Sequence, residues 1–382
     1  MKVRYDILDG LRGVAAMMVL LYHVFNDAKS FYVWPTTVYE FYHGFLGVDF
    51  FFILSGFVMG YAYDRQWKSS RQTVHSDSRN TLTLGGFVKR RLIRLHPMVV
   101  MGVLLGTAAY ILQGCTMWDG TEVSIRTVML ATLMGLFMIP SPASMDVRGY
   151  TELFPLNGPH WSLFIEYIGS LLYGILLHRL STKWLRVWVA CGIISIAGFA
   201  LISEDGGIAY GWSSEPVNFL GGMLRMLYAY PMGLLMARTF RERQPKPLRG
   251  HMFLFCSLAL IALLGLPYLG GKDTETIFQL ICIISLFPLI IWYGARGMVS
   301  GWRQKTVSFV GRLSYPLYAV HYPFVYLFIS WVGKDGHPYE GYSHPWIPLL
   351  VTVAVSVAVA TLCLLFYDEP LRKRLSGKQA SA

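Results

Sequence analysis

Long apolar stretches separated by short polar segments dominate the chain. Ten of them approach or reach the ~20 residues that an α-helix needs to cross a bilayer. An eleventh stretch, 127–139, has only 13 residues, a length more often found in re-entrant or interfacial helices. The pattern predicts an all-α, polytopic membrane helix bundle with about ten transmembrane helices. The predicted spans are 8–27, 41–62, 97–113, 161–178, 185–202, 218–238, 251–269, 276–294, 314–332 and 346–366.

Composition supports the membrane interpretation. Hydrophobic residues make up 54% of the chain and charged residues only 14%, whereas soluble domains carry roughly 25% charged residues. This excludes an ordinary soluble enzyme, a disordered protein and a small disulfide-stapled scaffold. The five cysteines are scattered and contain no Cys-x-x-Cys pair, so they indicate neither a disulfide framework nor a zinc site. We expect no bound metal and no permanently bound cofactor.

The few charges are unevenly distributed along the chain. A net charge of +11 is compatible with nucleic-acid binding, but in so apolar a chain basic loops facing an anionic inner leaflet are favoured. With the N-terminus inside and 127–139 not crossing, 27 of the 33 basic residues lie on the inner side. If that segment crossed the membrane, every later loop would change sides and the excess of basic residues on one side would disappear. The positive-inside rule therefore favours ten spans, both termini in the cytoplasm and a short basic tail over 371–382.

Five ionisable residues lie inside the predicted spans: His23, Asp49, Glu166, Arg225 and His321. Charge at the bilayer centre costs roughly 3 kcal/mol or more, which makes such residues candidates for a functional site. The first four lie roughly 6–12 Å below the outer surface, which predicts a shared polar chamber open to the outside. His321 lies nearer the inner end of its span and is the weaker candidate. The structural alternative is a buried ion pair, such as Asp49 or Glu166 with Arg225, that fixes helix packing.

Two arginine patterns indicate an anion site at the inner surface. Arg12 and His23 are 11 residues apart, which places both on one helix face with a rise of roughly 16 Å. Arg91 and Arg94 share a face at i, i+3, and guanidinium groups suit phosphate. Such a face fits an elongated anionic ligand whose reactive end lies near His23. Anchoring of the helix by the positive-inside effect is the alternative for the second pair.

Small residues and prolines predict two further features. Gly56 and Gly60 have the GxxxG spacing that permits close helix approach, and packing is also the favoured role for the adjacent Ser55. Segment 114–160 contains Pro140, Pro142, Pro155 and Pro159, so we expect a structured cover there.

Five sequence motifs follow one another along the chain. They are Leu-Asp-Gly-Leu-Arg-Gly (8–13) with His23, Gly-Val-Asp-Phe-Phe-Phe-Ile-Leu-Ser-Gly-Phe (47–57), Arg-Leu-Ile-Arg (91–94) with Pro97, Pro-His-Trp-Ser-Leu-Phe-Ile-Glu (159–166) and Gly-Arg-Leu-Ser-Tyr-Pro-Leu-Tyr (311–318) with His321. In this order they resemble the acyltransferase family 3 membrane proteins, and the resemblance spans about residues 6–370.

The resemblance implies one membrane domain over 1–370 and an O-acyltransferase of the bacterial inner membrane. Such proteins move an acyl group, usually acetyl from acetyl-CoA, to a hydroxyl of a surface glycan or lipid-linked saccharide. Arg12, Arg91 and Arg94 would then hold the CoA phosphates. His23 would be the general base.

The same resemblance implies roles for the remaining candidates. Asp49 or Glu166 would orient the imidazole of His23, while Arg225 would stabilise the oxyanion or bind the acceptor. Trp161 and His321 would join Arg225 on the acceptor side. A covalent acyl-histidine intermediate, a transporter or flippase of a glycan or lipid intermediate, and a non-catalytic assembly subunit stay open as alternatives. The acceptor and the oligomeric state do not follow from the sequence.

Overall fold

The computed structural model describes residues 5–27, 41–72, 82–248, 250–332 and 346–377. Regular structure in these ranges is helical apart from three isolated β-bridges, which confirms the all-α prediction. Seven basic residues used to predict orientation lie outside them: Lys2, Arg4, Lys29, Arg79, Arg249, Lys334 and Lys378. The helices are α1 (Asp6–Tyr22), α2 (Gly47–Gln72), α3 (Leu84–Leu112), α4 (Ile125–Leu136), α5 (His160–Ile175), α6 (Thr182–Ile202), α7 (Pro216–Arg243), α8 (Met252–Leu264), α9 (Lys272–Ile281), α10 (Phe287–Arg296), α11 (Gly301–Val320), α12 (Tyr322–Val332), α13 (Trp346–Leu362) and α14 (Glu369–Leu375).

The chain is a multi-pass membrane protein. Among the described residues, seven helical stretches are long and apolar enough to cross a bilayer, and each overlaps a predicted span. The other three predicted spans fall on α7, on the 13-residue α8, and on the junction of α11 with α12. A count of ten crossings therefore stays a prediction. The short apolar run is a separate 12-residue helix, α4. Its length of roughly 18 Å is less than the thickness of the hydrocarbon core.

Two predicted span boundaries were wrong, and both errors involve proline or a helix break. Helix α3 begins at Leu84, where Oγ1 of Thr83 caps it by accepting from the Gly86 amide at 3.1 Å, and Pro97 lies in its interior. The predicted span 314–332 is divided at His321, between α11 and α12. The basic residues before Pro97 are therefore helical.

Among the described helices, α2 and α7 make the most extensive contact. A Cβ atom on Gly56 would overlap the carbonyl oxygen of Tyr230, and one on Gly233 would overlap that of Ile53. Glycine on both helices lets the two backbones touch, as the spacing of Gly56 and Gly60 predicted. This contact holds Asp49 of α2 against Arg225 of α7.

Segment 114–160 is a structured cover, as its prolines predicted. Thr107 of α3 hydrogen-bonds Thr132 of α4 at 2.9 Å, and the Tyr110 hydroxyl donates to the carbonyl of Val147 at 2.6 Å. The side chain of Arg148, only 1% exposed, lies beneath this segment and stabilises it.

Candidate active site

A strongly basic cavity opens at the end of the bundle where α1 begins. It spans about 1110 Å³, part of it open to solvent, and is lined by five arginines and three acidic residues, an excess of positive charge. The sequence predicted three of these arginines at one anion site. The remaining two come from α11 and α14, which are distant from that motif along the chain. The arginines are Arg12, Arg91, Arg94, Arg312 and Arg372, and the acids are Asp9, Glu166 and Asp368.

Arg91 and Glu166 form a buried ion pair on the wall of this basic cavity. Nη2 of Arg91 donates to Oε1 of Glu166 at 2.8 Å, and its Nε donates to Oγ of Ser170 at 3.1 Å. The hydroxyl of Ser55 donates to the same Glu166 oxygen at 2.9 Å. Ser55 therefore has a polar partner as well as the packing role predicted for it. Arg94 is exposed and has no ion pair among the described residues.

A second cavity, of about 1250 Å³, has mainly aromatic walls and contains His23, Glu152 and Arg225. Helix α1 ends at Tyr22 and continues as one π-helical turn that begins with His23. The hydroxyl of Tyr326 donates to Oε2 of Glu152 at 2.6 Å, so this carboxylate is fixed beside the cavity. The aromatic residues are Tyr22, Phe45, Trp118, Tyr150, Trp161, Trp212, Tyr318, Tyr322 and Tyr326.

The basic and aromatic cavities share a wall. Val48 and Tyr318 line both of them. The Tyr318 hydroxyl lies 2.5 Å from Oγ of Ser162, and Ser162 donates to the carbonyl of Pro159 at 3.0 Å. A single layer of side chains thus separates a cavity suited to anions from one suited to a ligand with flat apolar faces.

His23 and His321 lie side by side near this wall. Their ring centroids are 5.4 Å apart, and the ring of Tyr322 lies 4.7 Å from that of His23. The sequence placed His321 nearer the inner end of a continuous span. The break between α11 and α12 places it beside His23 instead, because the two helices meet at that residue.

Asp49, predicted with Glu166 as a residue to orient His23, has its carboxylate bound by Arg225. Nε of Arg225 donates to Oδ1 at 3.0 Å and Nη2 to Oδ2 at 2.7 Å, while Nη1 donates to the carbonyl of Tyr210 at 2.7 Å. Both side chains of the pair are almost fully buried. The buried ion pair that was considered as the structural alternative is thus present between Asp49 and Arg225. Arg225 also lies 5.2 Å from the ring of Trp161.

The expected single chamber with four ionisable groups at one level was also wrong. Glu166 faces the basic cavity and pairs with Arg91, whereas His23 and Arg225 line the aromatic one. The reason is the early start of α3, which carries Arg91 into the bundle as far as Glu166. The roles predicted for all the site residues stay predictions: His23, Asp49, Glu166, Arg12, Arg91, Arg94, Arg225, Trp161 and His321.

The sequence did not predict the structural role of Arg148, which packs against three aromatic rings beneath segment 114–160. Its guanidinium carbon lies 3.8 Å from the ring centroid of Tyr326, and it is also stacked against Tyr110 and Trp118. Nη1 donates to Oε1 of Gln113 at 2.7 Å. Burial lowers the pKa of Arg148, while Tyr326 and Glu152 oppose that shift; a guanidinium stays charged in either case. The only sequence signal was a basic residue on the side predicted to be poor in positive charge.

The chain is similar to known acyltransferases over nearly its whole length. A family model described as an acyltransferase domain matches residues 5–368. The chain belongs to acyltransferase family 3. No solved structure gives a significant match. In the described ranges, no group of three or more His, Cys, Asp or Glu side chains is arranged to hold a metal ion.

Three relatives illustrate the range of similarity. "Protein 2 in picA locus" of Rhizobium radiobacter is 33% identical over 44% of this chain and 81% of its own length. A protein of Staphylococcus aureus (strain COL), provisionally named an O-acetyltransferase, is 24% identical over 97% of this chain. Peptidoglycan O-acetyltransferase OatA of Listeria monocytogenes is 23% identical over 96% of this chain. The chain spans only 58% and 55% of the lengths of the last two relatives.

Proposed function

We propose that this protein is a membrane O-acyltransferase. It transfers an acyl group, with acetyl as the first candidate, from acyl-CoA to a hydroxyl of a cell-surface polysaccharide or lipid-linked saccharide. The observation that carries the proposal is the pair of cavities separated only by the layer that contains Val48 and Tyr318. Their opposite chemistries suit a polyanionic donor and a saccharide acceptor.

The basic cavity suits CoA. Guanidinium groups form paired hydrogen bonds with phosphate oxygens, and Arg94 is free of any ion pair in the described ranges. Arg12 lies roughly 16 Å along α1 from His23, a distance that an extended pantetheine arm can bridge. The donor phosphates would therefore bind at the basic end, with the thioester reaching the shared wall.

The aromatic cavity suits a sugar ring. Indole and phenol rings pack against the C–H faces of a pyranose, as they do against other apolar surfaces. The carboxylate of Glu152 accepts hydrogen bonds from hydroxyl groups, and it is held beside the cavity by Tyr326 at 2.6 Å. Trp161 and His23 line the same cavity, so a sugar bound there would have a hydroxyl within reach of the histidine.

General-base catalysis by His23 completes the proposed reaction. The acceptor hydroxyl gives its proton to the imidazole, and its oxygen attacks the thioester carbonyl carbon. The C–O bond forms and the C–S bond breaks. The thiolate leaves with the electron pair and recovers the proton from His23. Imidazole suits both steps because its ordinary pKa, ~6.5, lies near neutral pH.

Orientation in the inner membrane is part of the proposal. Acetyl-CoA is cytoplasmic, so the basic cavity would face the cytoplasm and the aromatic cavity the outside. The distribution of basic residues supports this arrangement, with 27 of 33 on the side of the predicted cytoplasmic termini.

Radiolabelled acetyl-CoA separates the enzyme from the transporter alternative. Protein reconstituted in lipid nanodiscs is incubated with the labelled donor and a surface-glycan fraction, and label in the glycan is measured. We expect covalent label with the native chain and none with His23→Ala. Movement of a glycan across vesicle membranes without covalent change would instead support the transporter.

A further inference from the structure

His321 is fully buried where α11 ends. Its Nδ1 lies 2.9 Å from the carbonyl oxygen of Tyr318 and 3.1 Å from that of Leu317. Both atoms are acceptors only, so Nδ1 must carry the ring proton that it donates to them. In the neutral imidazole the other nitrogen, Nε2, then has a lone pair and no proton.

This lone pair has no partner in the described part of the chain. Nε2 of His321 is buried without a hydrogen bond. Buried polar atoms nearly always find a partner, so one that lacks it calls for an explanation. The ring of His23 is 5.4 Å away by centroid, closer than those of Tyr318 and Tyr322 at 5.9 Å.

The surroundings favour a neutral His321 whose Nε2 accepts a hydrogen bond. The ring is fully buried, and burial disfavours a cationic imidazole. The last carbonyls of α11 lie at the helix end that carries partial negative charge, so they hold the proton on Nδ1 and leave Nε2 as the acceptor. Catalytic hydrogen bonds are often long in unliganded enzymes and shorten when the substrate binds.

We propose that His321 is the positioning residue for His23: its Nε2 accepts the ring N–H of His23 and thereby fixes which nitrogen of His23 faces the acceptor hydroxyl. This inference rests on the proposed acyl transfer. As the hydroxyl proton reaches His23, the cationic ring of His23 donates its other N–H to Nε2 of His321, which stays neutral. The C–O bond forms, the C–S bond breaks, and the thiolate sulfur takes the proton from His23. No other reactant is needed.

A purely structural role makes a different prediction, because His321 also caps α11. The His321→Asn variant distinguishes the two. The Asn amide nitrogen occupies the place of Nδ1 and can still donate to the Tyr318 carbonyl, but nothing replaces Nε2. Asn157→Leu is the matched control, since Asn157 donates to the neighbouring Ala319 carbonyl at 2.9 Å and caps the same helix end.

Kinetics with acetyl-CoA and the acceptor glycan give the first readout. We expect His321→Asn to lower kcat by about 100-fold, the scale of general-base assistance, with the KM for acetyl-CoA changed less than threefold. Asn157→Leu keeps kcat within about threefold of the native value. Native kcat in His321→Asn would overturn the inference.

Nitrogen NMR of the full-length protein labelled with ¹⁵N-histidine gives a readout that does not depend on transfer. His321→Asn identifies the Nε2 resonance by its disappearance. An accepted hydrogen bond from His23 shifts that resonance, so His23→Phe must move it. A resonance unchanged by His23→Phe refutes the pairing, whether or not the native protein transfers acetyl groups.

Discussion

The Tyr318 hydroxyl lies 2.5 Å from Oγ of Ser162, and this contact braces the wall between the basic and aromatic cavities. Tyr318 itself faces both cavities. The Tyr318 and Ser162 hydroxyls are thus engaged with each other, and Ser162 also donates to the Pro159 carbonyl. The thioester of a bound donor would have to meet the acceptor at this side chain.

Removing the ring should uncouple hydrolysis from transfer. Tyr318→Ala joins the two cavities and lets water reach the thioester, because closed active sites prevent such side reactions. We expect the ratio of acetyl-CoA hydrolysis to glycan acetylation to rise about tenfold. Tyr318→Phe keeps the ring and should keep the ratio. Parallel measurement of free CoA and acetylated glycan checks this, and an unchanged ratio in Tyr318→Ala contradicts the shared-wall arrangement.

Arg94 should contribute to donor binding and little to the chemical step. The loss of one guanidinium contact to phosphate in Arg94→Ala should raise the KM for acetyl-CoA about tenfold, since charged hydrogen bonds contribute roughly 1.5–3 kcal/mol. Its kcat should change less than threefold. Arg90→Ala is the control, because Arg90 donates instead to Gln66 at 3.2 Å. Equal effects of the two variants would indicate general surface charge rather than a site.

The Arg91–Glu166 pair should stabilise the bundle as well as line the basic cavity. Glu166→Ala leaves Arg91 buried and unpaired, at a cost of about 3–5 kcal/mol. Ser55→Ala removes only one neutral donor and should cost about 1 kcal/mol. Unfolding by sodium dodecyl sulfate in mixed micelles gives both values. The double variant Arg91→Met with Glu166→Leu should recover most of the stability; failure to recover it would show that the charges are not the destabilising element.

Arg148 should hold the cover over the aromatic cavity. Replacing it with Met removes the stacking on Tyr326 and the hydrogen bond to Gln113, so segment 114–160 should open more often. We expect protease cleavage in this segment to accelerate about tenfold, because a loss of about one to two kcal/mol of local stability corresponds to such a factor. The KM for the acceptor should rise, and the KM for acetyl-CoA should stay unchanged. Arg126→Ala, an exposed site in α4, is the control. Cleavage equal to that of the control would refute this role.

Orientation can be tested with single cysteines. Cys115 and Cys191, the two that retain side-chain exposure, are first replaced by serine. A membrane-impermeant maleimide added to intact spheroplasts should label Asp119→Cys, in the cover, and reach Ser376→Cys only after permeabilisation. The reverse pattern would place the basic cavity outside, away from cytoplasmic acetyl-CoA.

Local patterns along the chain were sufficient for several features of this protein. Apolar stretches of membrane length predicted the helix bundle, because each helix satisfies its own backbone within one segment. The placement of Arg12 and His23 on one helix face depends only on helix geometry. The close helix approach at Gly56 followed from its GxxxG spacing to Gly60 alone. Rare charges in an apolar chain marked the ion-paired residues, Asp49 and Arg225, as important.

Tertiary structure decided which of these residues meet. Glu166 and Arg91 are 75 residues apart, and their pairing required the true start of α3, which Pro97 obscured. His321 lies beside His23 only because α11 ends there, and Tyr318 divides two cavities only when α5 and α11 are packed together. Periodicity within one segment is a local property, whereas the partner of a side chain depends on how separate helices pack, and that packing is set by contacts spread over the whole chain.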